Sequence, residues 1–565
     1  MQCPEGNLLL SLLLLLLSRQ THSPRDQRPR PSVTAIQRNP LDSPHTFALL
    51  FSRLTFPYGR PLVRLLMQED ASYPFLRPPA RSPRATATLC PGHPMRKFCL
   101  RHRFHHHSLQ IASILLYSIL ASAVLLVTGC GGAGSATNPP PPSKLVWTWQ
   151  GGPIMPGDPG SYGTVGVASA QSLPTARYFA SCVTRSDGSL LLFGGWVIAQ
   201  GKVPVGNMND LWTYSNGEWT WLGGSDTYDS LGSYGTVGVA SKQNWPPARS
   251  DAASWMDSQG NFWVFSGGGI TGDFDDLWKY SNGEWTWLGG SNQQSDSSIS
   301  IFGTQGVPSP SNLPGGRFSS QTWVDAQGSL WLYGGFGTNS YGFPSPMGDL
   351  WRYSNGEWTW VSGDPRYPQP PSYGTQGVAA PTNSPGARYD AMTWTDNQGN
   401  FWLFGGISVN AANGEYVYSN DLWKYSNSEW TWLGGTNKAS LPPVYGTLNT
   451  PSPTNQIGAR KDSVTWIDSS GNLWLFGGFG LDTTGQNVGF LNDLWRYSNG
   501  QWTWMAGSDT LNSIGSWGTL GVPSLQNAPE SREYSCGWKD SSGNLWLFGG
   551  DTEAGFHNDL WEFTP

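Results

Sequence analysis

Six arginines recur at nearly equal spacing in this 565-residue chain: Arg177, Arg249, Arg317, Arg388, Arg460 and Arg532, separated by 72, 68, 71, 72 and 72 residues. Each precedes an aspartate in the phrase "DLW", namely Asp210, Asp276, Asp349, Asp421, Asp493 and Asp559. Two such rings of charge could line a channel and take an anionic sugar. The alternative is architectural: each Arg begins an inner strand, and each Asp satisfies loop amides or pairs with an Arg to hold one repeat to the next. Presence in every copy favours architecture, because a ligand site needs one asymmetric cluster. Histidine is scarce: seven of the eight precede Cys130, leaving only His557 beyond it. That excludes a multi-His metal site and leaves a nucleophile-base triad only through this residue. No metal, no cofactor and no catalytic residue is assigned; His557, Glu553 and Arg532 are the fallback acid-base set, with His557 expected to be an ordinary loop residue.

Tryptophan is abundant, with all 31 between Trp147 and Trp561, and most of these rings read as packing. Aromatics that fall outside the repeated phrases are the ligand-face candidates: Trp196, Phe274, Phe336, Tyr341, Phe343, Tyr416, Phe490 and Phe556. Flat rings beside Asn and Asp suit a sugar or a protein partner. Cys182 and Cys536 follow the first and sixth Arg by five and four residues. Export would permit a disulfide. Because the offsets differ by one, the two side chains are expected on opposite strand faces, which speaks against a bond and leaves the pairing open.

Charge divides the chain in two. Residues 1–130 carry 15 Lys plus Arg against 5 Asp plus Glu, whereas residues 131–565 carry 18 against 34. An acidic body without a basic stripe argues against nucleic acid and against electrostatic docking on an anionic membrane. Ahead of it, Arg96, Lys97, Arg101 and Arg103 precede the apolar run Ile111 to Val127, which closes on "VTGC" at Cys130. This is the order of a secretory signal, and it resembles the bacterial lipobox. By that resemblance Cys130 takes a diacylglyceryl group and becomes the first mature residue. A membrane-spanning helix is the competing reading, since 17 residues approach the roughly 20 needed; the Cys at the end of the apolar run favours the lipoprotein. The expected divisions are 1–94, an over-extended or disordered region that leaves Met1 or Met95 as the start; 95–130, the signal; 131–145, a Gly- and Pro-rich tether; and 146–565, the folded body.

The body must place these residues by repetition. After each Arg come two segments of alternating apolar and polar residues, as in "YDAMTWTDNQGNFWLFGG", then a variable insert, then "NDLWKYSNSEWTWLGG". Period-2 alternation marks strands, and four are expected per unit, a to d. The c to d link carries Asn-Gly, suited to a type I′ hairpin. Inserts between b and c, and long "YGT" phrases between d and the next a, put most loop variety on one face.

Gly-Gly after strand b, the aromatic in strand c and the Trp in strand d resemble the kelch repeat across Val146 to Pro565. The resemblance implies an all-β fold, a kelch β-propeller. Six a-b-c sets occur but only five have their own d, whereas "VWTWQGG" at Val146 to Gly152 is an unattached d. The expected fold is therefore a six-bladed propeller whose last blade is closed by the N-terminal strand. Copper oxidases resembling galactose oxidase need two His, which this body lacks. The expected function is a non-catalytic, lipid-anchored binding protein of the bacterial cell envelope, monomeric, recognising a protein or glycan through its long-loop face. The alternatives are a periplasmic kelch sugar epimerase or mutarotase similar to the N-acetylneuraminate type, and a purely structural surface protein.

Overall fold

The chain divides into two units, Met1–Gly131 and Gly132–Pro565. The computed structural model describes residues 145–199, 202–294, 298–364, 366–438 and 440–565, all in the second unit. The expected N-terminal region, the signal with Cys130 and the tether up to residue 144 lie outside the described residues. What is described is all-β, without a helix, and built from antiparallel sheets.

The period-2 phrases form the strands they suggest. In the second repeat, a is Ala253–Met256, b Phe262–Phe265, c Leu277–Ser281 and d Glu284–Gly289, paired in that order. The a-b-c-d order recurs in each repeat, and in the sixth the strand Val146–Gly151 pairs with Gly555–Thr564. Trp147 lies opposite Phe563 and Trp149 opposite Trp561, as Trp285 lies opposite Tyr280 and Trp287 opposite Trp278. Val146–Gly151 therefore occupies the strand d position of the last sheet. At the c to d turns Asn216 and Gly217 both adopt positive φ, 53° and 83°, the left-handed pair of a type I′ turn.

Apolar faces meet between repeats. One buried cluster joins Leu191, Phe193 and Leu211 of the first repeat to Phe262, Val264 and Trp278 of the second. Another joins Val464 and Phe476 of the fifth to Leu547 and Phe563 of the sixth, with Trp147 among them. A third joins Trp538 and Phe548 of the sixth to Leu190, Leu192 and Trp212 of the first. Face-to-face packing of successive twisted sheets is consistent with a propeller.

The loops differ from expectation in two ways. The inserts between b and c are largely hairpins: Leu190–Ala199 pairs with Lys202–Ser215, and Leu473–Leu481 with Val488–Ser498. Shorter accessory hairpins, Phe336–Thr338 with Pro344–Pro346 and Ile407–Val409 with Tyr416–Tyr418, do the same in the third and fourth repeats. The "YGT" phrases are edge covers. Gly166 donates to the Trp221 carbonyl at 2.8 Å and Ser169 bridges Trp219, so the phrase lies along strand d of the repeat it precedes. Ser241 on Trp285, Ser309 on Trp358 and Ser524 on Trp147 repeat the contact. Hydrogen-bonding groups that an outer strand would leave open are thereby paired.

Cys182 and Cys536 are bonded, which corrects the expectation drawn from their offsets. Cys536 shares its register with Ser181, since both lie opposite a Phe of strand b, Phe548 and Phe193 respectively. The two cysteines do point to opposite faces of their own strands. Because the sheets pack face to face, opposite faces of the sixth and first sheets are the ones that meet.

Deleting Val146–Gly151 from the full chain should cost at least the roughly 3–5 kcal/mol of a buried Trp truncation, since Trp147 is 2% exposed. An unchanged denaturation midpoint would contradict its place as a core strand. Replacing Cys182 and Cys536 together by Ser should cost about 2–5 kcal/mol; reductant should lower the melting temperature of the parent chain but not of this variant.

Candidate functional site

The repeated Arg is a buried post. Arg177 is 2% exposed and donates through both terminal nitrogens to the Asp210 carboxylate at 2.7 Å each. It also donates to the Gly194 and Thr175 carbonyls. Asp210 accepts in addition from the Tyr162 hydroxyl and the Trp212 indole, both at 2.7 Å. Each guanidinium nitrogen and both carboxylate oxygens, which burial would otherwise strand, thus have a partner. Burial disfavours the Arg177 charge, but Asp210 outweighs it and holds the guanidinium above its ordinary range. Burial first, and then the Asp210 charge, push the Tyr162 hydroxyl well up. Equivalent Arg–Asp pairs stand at 2.6 to 2.8 Å in the other five repeats.

These pairs form within a repeat, not between repeats as expected. The link to the preceding repeat is made by the Arg backbone: Arg249 N donates to the Met208 carbonyl and its own carbonyl accepts from Gly195 N, both at 2.9 Å. This approach explains the Gly-Gly after strand b. A Cβ on Gly194, at φ +63°, would meet the Arg249 carbonyl oxygen at 2.6 Å. Arg532, bound to Asp559 in the same way, is structural and leaves the fallback catalytic set.

Two residues after each Arg the chain turns through a left-handed residue: Phe179, Asp251, Ser319, Asp390, Asp462 and Tyr534, with φ between 55° and 59°. Their amides and carbonyls join each repeat to the next, from the first to the sixth. Asp251 N donates to Phe179 O at 2.8 Å, Ser319 to Asp251, Asp390 to Ser319, Asp462 to Asp390 and Tyr534 to Asp462, the last four at 3.2 to 3.3 Å. Beyond this ring, inner strands from five repeats line a polar cavity of about 250 Å³, with Ser181, Ser254, Ser320 and Thr465 among its walls.

The backbone of the ring is repetitive but its side chains are not. One sector is aromatic: Phe179 lies 3.8 Å from Tyr534 between ring centroids, and Tyr178 lies 4.3 Å from Phe556. The other sector is ionic. Lys461, 1% exposed, donates to Asp462 at 2.5 Å and to Glu533 and the Tyr534 hydroxyl at 2.6 Å, with Asp390 at 3.8 Å. Its ammonium also sits 4.3 Å over the Tyr534 ring. Asp390, 7% exposed, accepts from Tyr534 through Oδ2 at 3.4 Å, while its buried Oδ1 has no hydrogen-bond partner among the described residues.

Charge is crowded here. Burial disfavours the Lys461 ammonium, but Asp462, Glu533 and Asp390 outweigh it and hold the group well above the usual lysine range. Burial and the Asp390 charge push Asp462 up, and burial raises Glu533 against the pull of Lys461. Glu533 lies directly across a backbone bridge from Asp551, a like-charge cross-strand pair. Burial, and then Glu533, push the Asp551 carboxyl up to about 7.

The residues singled out from sequence are distributed unevenly. His557 is not in a loop: it lies in Gly555–Thr564, 1% exposed, with neither ring nitrogen hydrogen-bonded among the described residues. Glu530 stands 3.5 Å away, and burial drives the imidazole down to about 4. Glu553 is exposed on the adjoining turn. Phe274 is buried with the Arg249 guanidinium 4.0 Å over its ring, so it belongs to a post and not to the ligand face. Trp196, Phe336, Phe490 and Phe556 lie half-buried in hairpin strands; Tyr341, Phe343 and Tyr416 reach solvent. Lys461, Asp390, Asp462, Glu533, Tyr534 and Asp551 were missed. The signal was present in the residues that follow each Arg: "YF", "SD", "FS", "YD", "KD" and "EY", variable inside an otherwise repeated frame.

With a folded value near 7 against roughly 3.9 unfolded, Asp551 contributes stability that is complete below about pH 4 and lost as pH rises through 7. An Asp551→Asn variant should therefore gain melting temperature relative to the parent chain as pH goes from 4 to 8. A difference that stays flat across that range would refute the shift.

No protein-family model matches the chain, and no curated protein matches it. Among solved structures, one titled "Structure of YjhT" is similar, with a TM-score of 0.40 and 14% identity over 69% of this chain and 95% of that one. At that distance the likeness speaks neither to ligand nor to activity.

Proposed function

We propose that the six sheets are the blades of a closed kelch propeller, with Val146–Gly151 completing the last blade, and that the protein is a non-catalytic binding module. The pairing of the first strand with the last and the buried cluster between the sixth and first repeats support closure. In this reading the chain is exported and lipid-anchored through Cys130 at a bacterial cell envelope; the disulfide fits an oxidising compartment. Its ligand, a glycan or a protein, sits on the hairpin face over the axial ring.

One observation carries the choice of site. The repeat is kept where Arg meets Asp and broken at the next two positions, so the six-fold frame delivers a single asymmetric mouth. Its aromatic sector offers faces for stacking, and its carboxylates accept hydrogen bonds from hydroxyls. Aromatics expected on the ligand face adjoin it: Trp196 lies opposite Tyr178, Phe336 opposite Phe318, Phe556 4.3 Å from Tyr178 and Phe490 5.2 Å from Phe479.

A sugar-converting enzyme is the second reading, favoured by Asp551 alone: a carboxyl held near neutrality suits proton transfer. The residues first considered for it do not assemble, since Arg532 is spent on Asp559 and His557 lies beside Trp517 and Glu530.

A glycan array on the full chain in detergent, followed by titration of any hit, tests both readings. Binding should weaken about tenfold or more, equivalent to 1.4 kcal/mol, in Phe556→Ala and Lys461→Met variants that retain a cooperative melt. Binding untouched by either change would sink the axial site, and conversion of the sugar lost in Asp551→Asn would favour the enzyme.

A further inference from the structure

Away from the axis, a groove of about 530 Å³ runs between the third and fourth repeats. Tyr367 lines it, together with Asp364, Gln369, Gln305, Ser428 and Glu429. The Tyr367 ring lies 5.1 Å from that of Tyr341, inclined by 40°, and the two residues are 58% and 52% exposed. Phe343, 68% exposed, stands on the same hairpin tip as Tyr341.

This platform is held in place. Asn339 Oδ1 accepts from the amides of Tyr341 and Phe343 at 3.0 and 3.1 Å, and Asn339 N donates to the Phe343 carbonyl at 3.0 Å. On the other side, Asp364 accepts from the Arg366 amide at 2.8 Å and from its guanidinium at 3.0 and 3.1 Å, which fixes the residue before Tyr367. Rigid aromatic rings present a large contact area at little conformational cost. Among the described residues the Gln369 and Glu429 side chains make no intramolecular hydrogen bond, so an amide and a carboxylate remain available inside the groove.

We propose that this groove is a second binding site, separate from the axial mouth, for an uncharged oligosaccharide that stacks a sugar ring on the Tyr341–Tyr367 pair and hydrogen-bonds to Gln369 and Glu429. Its volume falls within the roughly 300–1,000 Å³ of small-ligand sites. The charge of the walls selects against acidic sugars. Asp364 and Glu429 are both carboxylates, and the neighbouring cation, Arg366, is engaged by Asp364.

Calorimetric titration of the full chain in detergent with cellohexaose, laminarihexaose, xylohexaose and maltohexaose tests the site. At least one should bind saturably with one-site stoichiometry at the groove. Tyr367→Ala and Tyr341→Ala should each weaken it about tenfold or more, and Tyr367→Phe should bind like the parent chain. Saturation by none of the four, or binding that survives both alanine changes, overturns the proposal. Binding that survives them but is lost in Lys461→Met overturns this groove and leaves the axial reading standing.

Discussion

The buried pair between Arg177 and Asp210, and its five copies, is the interaction on which the rest depends. Removing one partner of such a pair typically costs 3–5 kcal/mol, whereas an apolar replacement of both can be neutral. Here an apolar replacement would fail for a local reason. The guanidinium also serves the carbonyls of Gly194 and Thr175, where strand b leaves its sheet and the long phrase enters. Without it those acceptors would be buried and unpaired. The carboxylate in turn collects the Trp212 indole of strand c and the Tyr162 hydroxyl of the phrase. Three separate pieces of one repeat are thus tied at a single point, and the Arg backbone then places that repeat against its predecessor.

Much of this was legible from residue order. Alternation identified the strands, Asn-Gly identified the c to d turns, and the unattached "VWTWQGG" pointed to the pairing now seen between Trp147 and Phe563. What was not legible followed from geometry that repeats do not encode locally. The offset of Cys182 and Cys536 correctly separated their strand faces, yet the consequence reversed once sheets were stacked instead of laid side by side. The "YGT" phrases looked like binding loops because they are long and polar; their carbonyl and amide contacts to strand d make them edge covers. Phe274 looked like a loop aromatic, and only its position over Arg249 reveals it as part of a post.

The candidate site was hidden for the opposite reason. Attention to what recurs draws the eye to Arg and Asp, which are satisfied and closed. Charge and aromatic rings gather at the two positions after each Arg, which vary between repeats; the second is left-handed throughout but is Asp in three repeats and Phe, Ser or Tyr in the others. Repetition supplies the precision of placement, and departure from repetition marks the candidate site. Lys461 illustrates the division: its backbone occupies a position shared by all repeats, while its ammonium has no counterpart in the other five.

The strand Val146–Gly151 also has a mechanical consequence. A pull on the segment that precedes Leu145 enters the fold at the seam between its first and last strands, the junction with no continuous chain across it. Tension there loads the hydrogen bonds to Gly555–Thr564 before it reaches any other sheet. The bond between Cys182 and Cys536 spans the adjoining interface, so a tug that frees the first strand meets a covalent stop before the repeats can separate. The seam is thus the first place to yield, and the interface beside it is covalently reinforced against opening further.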